Sequence, residues 1–378
     1  MGFLLAIGSL LLGIWVAALP AIKLRLGFTD GTLGLSLLLA PVGSLTGVVL
    51  SSRLFSRLPV GKWLLAGHII QCILYILLVT ATQRIVFWTV LYATGLVGLC
   101  NGVSINAVID LIEKRYQRRI MSSCHGMYSL GGGVSAGLAF VFYSLHVAAA
   151  YQIMIMAGMI ILVLLLLRGH LLSYTNLIHS GSALAAPPVT ILGLAFICFV
   201  TIMGEGSIAD WSAIYLKESL HSTAALASLG FAGFSVMMAF GRLNGDVLVP
   251  KTGPKKIVIA GSLVAATGFL LVVVFHYPAI AIAGFTLTGL GYSCIVPILF
   301  SAAANVRGVS PAMGIASITS GGLIGFLFGP SIIGIVSEKL NLAAGLSFVL
   351  ILSLIAAFVG SRNKFLAADT NANFIELT

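Results

Sequence analysis

Charge is scarce in this sequence. Of 378 residues only 8% are Asp, Glu, Lys or Arg, against 59% that are apolar, and the mean hydropathy is +1.12. That composition excludes an ordinary soluble domain. Acidic residues are the scarcest, ten against twenty Lys and Arg, leaving a net charge of +10. The basic residues fall in short loops and form no groove-sized face, so the excess speaks for membrane topology and anionic headgroups and excludes a nucleic-acid partner. Cysteine is sparse as well: Cys72, Cys100, Cys124, Cys198 and Cys294 stand apart, with no CxxC and no His at ligand spacing. Neither a disulfide framework nor a metal site is expected. There is no HExxH and no GK[ST] phosphate loop, which removes a metalloprotease and an ATP-driven pump. No cofactor is expected, and energy would come from an ion or substrate gradient. One enzyme-like pattern, GxSxG at Gly133 to Gly137, lies in a glycine-rich apolar run without the strand-turn-helix setting of a serine nucleophile, and is set aside.

What the sequence has is long apolar runs. Stretches of roughly 18 to 25 residues recur along the chain, each long enough as a helix to cross about 30 Å of hydrocarbon. They predict twelve helices at 2–23, 31–52, 61–81, 85–109, 121–145, 149–167, 188–215, 224–248, 255–275, 278–304, 310–336 and 341–361. The runs lack the period-two alternation of barrel strands, and a helix satisfies its own backbone in lipid. The first run has no charged region before it and no cleavage-like end, so it reads as a retained helix, and MGFLLA lacks a myristoylation signal. With a cytoplasmic N-terminus, fifteen Lys and Arg fall inside, Arg118 and Arg119 among them, and five outside (Lys23, Arg25, Arg84, Lys217, Lys339). Both termini are therefore expected to be cytoplasmic.

A shift of 194 residues lays GVVLSSRLFSRLPVGKWLLAG (47–67) on GRLNGDVLVPKTGPKKIVIAG (241–261), with Gly47 on Gly241, Arg57 on Lys251 and Lys62 on Lys256. The chain reads as a duplication: a six-helix bundle over 1–167, a cytoplasmic connector over 168–187, a second bundle over 188–361 and a tail over 362–378. Parallel repeats of this kind hold substrate near mid-membrane and rock around it.

The loop after the second helix of each half, with GPKK at Gly253 to Lys256, and the segments NGVSINAVIDLIEKRYQRRIMSSCHGMYSLGGG (101–133) and GEGSIADWSAIYL (204–216) resemble the major facilitator superfamily. Within it they are similar to a YbjJ-like bacterial branch of inner-membrane permeases, distantly related to fucose and other sugar:proton symporters. The resemblance implies an all-α integral membrane fold of twelve transmembrane helices in two pseudo-symmetric six-helix bundles. It also implies a multi-pass protein of the cytoplasmic (inner) membrane, a monomer whose partners are the lipid bilayer, a small-molecule substrate and protons. Two departures stand out. Pro250 and Ser56 replace the loop signature's Asp, and Ala18 stands where an Arg is expected before Pro20, so that Arg's role is missing or moved.

Inside the predicted spans, an ionisable residue costs roughly 2.5 to 3.5 kcal/mol to insert and needs a partner, water or a proton. Glu205, between Gly204 and Gly206, lies roughly 22 Å along its helix from residue 190. It is the leading candidate for proton coupling, with a structural carboxyl as the alternative. Asp210 is 140° around the helix and is expected on another face, near an outer boundary marked by Trp211 and Tyr215. Thr201 and Ser212 share the Glu205 stripe. His125, Tyr128 and Ser129 form an i, i+3, i+4 set, and Asn101 and Asn106 lie on helix four; each is a candidate for substrate contact or for interhelical packing. His68, Gln71 and Tyr75 share a face of helix three, which is peripheral in the resembling fold, and are expected to pack. Arg242 and Asp246 are an i, i+4 pair, the expected latch of a gating region that includes Arg57, Lys251, Lys255 and Lys256. GxxxG spacings at Gly133/Gly137 and Gly321/Gly325/Gly329 predict close helix packing.

No Lys or Arg falls in the middle third of a predicted helix, which disfavours an organic anion. Trp15, Tyr92, Tyr128 and Tyr292 offer aromatic faces to a sugar-like or cationic ligand. The expectation is a secondary active transporter of a small neutral or cationic organic solute, sugar-like or a metabolite, working by alternating access with proton coupling. Helix five lacks the proline of the antiporter signature, which favours symport. A drug or metabolite efflux antiporter and a non-transporting membrane sensor on the same fold stand as alternatives. No enzyme activity is expected.

Overall fold

A computed structural model describes residues 1–117, 120–175 and 186–366. Arg118 and Arg119, half of the predicted connector (176–185) and most of the predicted tail (367–378) lie outside these residues. The long helices are α1 (Gly2–Leu26), α2 (Asp30–Phe55), α3 (Val60–Thr80), α4 (Arg84–Tyr116), α5 (Met121–Ser144), α6 (Ala149–Leu166), α7 (Val189–Ser219), α8 (Ala224–Thr252), α9 (Pro254–Val274), α10 (Pro278–Ala304), α11 (Pro311–Lys339) and α12 (Leu342–Arg362). Among the described residues, eleven of them, all but α5, are long and apolar enough to cross a membrane.

Helix starts follow local chemistry. Thr223, Ser310 and Asn341 accept hydrogen bonds from the N–H groups of Leu226, Met313 and Ala344, and Pro254, Pro278 and Pro311 sit in first turns, where a missing N–H costs nothing. Ends are harder to read. Helix α4 runs seven residues past its predicted end, carried by an Asp110–Lys114 ion pair of 2.7 Å and stopped at Gln117, whose φ of 51° is left-handed. Glu113 on that extension accepts from the Met121 N–H at 2.8 Å and so caps α5.

The 194-residue register reappears in the packing. Cys100 donates to the Gly47 carbonyl and Cys294 to the Gly241 carbonyl, both residues of each pair being offset by 194. A side chain at Gly95 would collide with the Ala40 carbonyl, and one at Gly289 with that of Phe234, again 194 apart. Within the first six helices α1 packs on α5, α2 on α4, and α3 on α4 and α6; within the last six α7 packs on α11, α8 on α10, and α9 on α10 and α12. Between these two sets, α5 lies against α8 and the first turns of α2 against α11. Small residues allow these approaches. Gly321 and Gly325 lie against the carbonyls of Ala195 and Phe199, while Ser135, the centre of the GxSxG pattern, accepts from the Ile14 N–H at 3.1 Å and donates to the Leu10 carbonyl, tying α5 to α1. That serine is a packing residue.

Candidate functional site

A cavity of about 500 Å³ lies between the two sets of helices. Its walls are helical stripes. Helix α7 contributes Ile202, Glu205, Gly206, Ala209 and Asp210; α8 contributes Phe231, Phe234, Ser235, Met238 and Arg242; both follow the i, i+3, i+4, i+7 spacing of one helix face. From the first half come Trp15 on α1, His68, Gln71 and Tyr75 on α3, Thr94 and Asn101 on α4, and Tyr128 and Ser129 on α5.

Arg242 is the electrostatic centre. Its guanidinium donates to Glu205 Oε1 at 3.4 Å and Oε2 at 3.5 Å, and to the Ser129 hydroxyl at 2.9 Å. It therefore joins α8 to α7 and to α5 across the cavity. The side chains of Arg242 and Glu205 are 16% and 22% accessible, so their attraction is stronger than between surface ions. This corrects the expected Arg242–Asp246 latch: Asp246 is exposed and makes no ion pair among the described residues, and a charge already hydrated by bulk water competes poorly with a carboxylate held inside the cavity. Arg57, Lys251, Lys255 and Lys256 make no ion pair among the described residues. Arg242 lies outside the middle third of its predicted helix yet ends the stripe that begins at Phe231, so a cation does reach the cavity and the sequence argument against an organic anion loses force.

Asp210 is a second correction. It lines the same cavity as Glu205, the two carboxylates marking opposite edges of the α7 stripe, and it has no hydrogen bond or ion pair among the described residues. Trp211 and Tyr215 do not mark a headgroup boundary: they are 0% and 1% exposed, with the Tyr215 hydroxyl donating to the Val272 carbonyl at 2.7 Å. Thr201 and Ser212 face the packed interior, not the cavity. His68, Gln71 and Tyr75, expected to be packing, line the cavity, with His68 Nδ1 2.8 Å from the Leu64 carbonyl. Of the remaining candidates, Trp15, Asn101 and Tyr128 line it, whereas His125, Asn106 and Tyr292 do not. Tyr292 is buried beside Gly204 and shares a 2.6 Å hydrogen bond with Ser353, and Tyr92 donates to Thr46 at 3.0 Å away from the cavity.

Beyond the end of the cavity lined by Trp15 and Asp210, helices of the two halves are drawn together by a charged network that the sequence reading missed. Lys23, at the end of α1, pairs with Asp30 on α2 and with Glu218 on α7. Ser337 on α11 bonds to Asp30, and the Gly31 N–H donates to Glu338 Oε2 at 2.9 Å. Just below, Ser331 donates to the Gly34 carbonyl at 3.1 Å. The network closes α1 and α2 onto α7 and α11. The available signal was four charged residues placed at the ends of predicted helices on one side of the membrane.

The family model described as Major Facilitator Superfamily matches residues 194–370. An uncharacterized MFS-type transporter of Yersinia pestis is 33% identical over 361 residues, 93% of this chain and 91% of that one. Membrane protein MosC of Rhizobium meliloti is 29% identical over 359 residues, 93% and 86% of the two chains. The crystal structure of the nucleoside transporter NupG superimposes with a TM-score of 0.71 at 13% identity, over 96% of this chain and 97% of that one, and shows the fold alone. With helices that fit a membrane, a cavity between two sets of six and a relative matched over nearly its whole length, this chain belongs to the Major Facilitator Superfamily, a family of membrane transporters and not of enzymes.

Proposed function

We propose that the chain is a secondary active transporter that moves a small neutral or cationic organic solute by alternating access, coupled to protons through Glu205. The two sets of six helices act as bundles, 1–167 and 188–361, that rock about the cavity. With both termini in the cytoplasm of an inner-membrane protein, the Lys23 network closes the outer side, and the described conformation is the inward-facing one.

The observation that carries this reading is the Glu205–Arg242–Ser129 bridge inside the cavity. An ionised Glu205 holds Arg242 on α7 while the same guanidinium donates to Ser129 of the other bundle. A protonated one loses the charge attraction and leaves Arg242 held through Ser129, so the proton and the relative position of the bundles are linked through one side chain. Arg242 also supplies a cavity cation in a chain whose first helix carries Ala18 in place of the expected Arg. The test is uptake into proteoliposomes with and without an inward proton gradient. Wild type is expected to accumulate solute only with the gradient, and Glu205→Gln to keep solute exchange while losing accumulation. Gradient-driven accumulation by the Gln variant would remove Glu205 from coupling.

A further inference from the structure

The charges of the cavity do not balance. Among the described lining residues, Arg242 is the one Lys or Arg, set against the two carboxylates Glu205 and Asp210. Arg242 is already held by Glu205 and Ser129. Toward the closed end Lys23 is committed to Asp30 and Glu218, Arg25 to the Val79 and Ala81 carbonyls, Arg84 to those of Leu26 and Gly27, and Lys217 to that of Ser222, while Lys339 is exposed at the end of α11 and does not line the cavity. His68 is turned to its own helix through Leu64. Asp210 is left facing the cavity with no partner among the described residues, an expensive arrangement within a membrane unless the partner arrives from solution.

Depth adds the second observation. Asp210 precedes Glu218 by eight residues on α7, and Trp15 precedes Lys23 by eight on α1; Lys23 and Glu218 are themselves joined. At 1.5 Å per residue both Asp210 and Trp15 lie roughly 12 Å beneath that bridge, at the blind end of the cavity. Trp15 meets Tyr75 edge to face there, with ring centroids 6.5 Å apart, and both rings line the cavity. A carboxylate and two electron-rich rings at one depth form the environment that holds an ammonium group with an apolar body.

We propose that the blind end of the cavity is a cation subsite, with Asp210 as counter-charge and Trp15 and Tyr75 as its aromatic wall, and that the solute is an organic cation of the amine or quaternary ammonium class. This rests on the transporter reading and narrows it, because Asp210 and the Glu205–Arg242 bridge then have separate tasks, solute charge and coupling.

Three compounds on one scaffold test it: phenethylammonium, 2-phenylethanol and 3-phenylpropionate. The full-length wild-type protein in detergent is treated with dicyclohexylcarbodiimide, and modification of Asp210 is followed by mass spectrometry. The ammonium is expected to slow that modification by about tenfold at concentrations where the alcohol and the carboxylate do not. Equal protection by all three, preference for the carboxylate, or no protection by any overturns the subsite. Thermal melts give a second reading: the ammonium-specific stabilisation should vanish in Asp210→Asn and persist in Asp210→Glu, and if the Asn variant does not fold the wild-type protection still decides. Flux in proteoliposomes separates the two ideas. Ammonium-specific protection without solute flux sinks the transporter reading and leaves the subsite, while flux of a neutral solute without charge discrimination does the reverse.

Discussion

Arg242 shows how much a single side chain can be asked to do in a membrane interior. Its partners come from α7 and α5, so it couples a carboxylate in its own half to a hydroxyl in the other. Removing one member of such a pair leaves the other uncompensated, whereas removing both restores neutrality. Arg242→Gln is therefore expected to lower the thermal stability of the purified protein more than the double variant Glu205→Gln/Arg242→Gln does. The coupling free energy from the four-protein cycle should be about 1 to 3 kcal/mol, below the value for a fully buried pair because both side chains keep some solvent. Additive losses would mean that the 3.4 Å contact contributes no stability. Glu205 was legible in the sequence because a lone acid in an apolar run demands an explanation. Its partner was not, because i, i+4 spacing to Asp246 offered a nearer one and rotation of α8 about its axis is decided by packing. The stripe Phe231, Phe234, Ser235, Met238, Arg242 was the signal that favoured the cavity.

At the scale of elements, the helices were legible because lipid enforces long uninterrupted apolar runs and because Pro, Thr, Ser and Asn mark their starts. The extension of α4 escaped because its last turns stand in water, where hydropathy carries no helix signal and Asp110–Lys114 was the available cue. The glycine spacings were read as packing, but they are not equivalent. A Cβ at Gly325 would collide with the Phe199 carbonyl, which belongs to the helix bearing Glu205, so α11 would have to withdraw from α7. Gly137 meets nothing within 4 Å. Gly325→Ala is expected to destabilise by about 1 to 3 kcal/mol through overpacking. Gly137→Ala should be neutral or stabilising by up to about 1 kcal/mol, since alanine loses less conformational freedom in a helix. Thermal melts of the two variants side by side check the difference, and equal losses would contradict the described α7–α11 interface.

At the scale of the whole molecule, duplication supplied the scaffold and divergence supplied the chemistry. The 194-residue shift sets Glu205 opposite Leu11, Asp210 opposite Val16 and Arg242 opposite Val48, so the second half carries the cavity's ion pair and free acid while the first presents His68, Gln71 and Asn101. The closing network is equally one-sided. Lys23 and Lys217 are repeat equivalents, yet Lys23 bridges Asp30 and Glu218 whereas Lys217 donates to the Ser222 carbonyl at 3.1 Å. Which end of the cavity is shut cannot be read from hydropathy or repeats, because it depends on residues some 200 to 300 positions apart that meet only in three dimensions. That closure makes a direct prediction for transport. A Cβ placed on Gly31 would lie 3.4 Å from Cβ of Glu338, close to the separation of about 3.5 to 4.5 Å that a disulfide needs. Gly31→Cys/Glu338→Cys should therefore cross-link under mild oxidation, detected as a mobility shift on non-reducing gels. If the two halves must part at this end once in every cycle, the oxidised protein should lose solute flux and regain it on reduction, while each single cysteine variant keeps flux under both conditions. A fully cross-linked protein that still transports at the wild-type rate would show that α2 and α11 stay together throughout the cycle and that the path of the solute lies elsewhere.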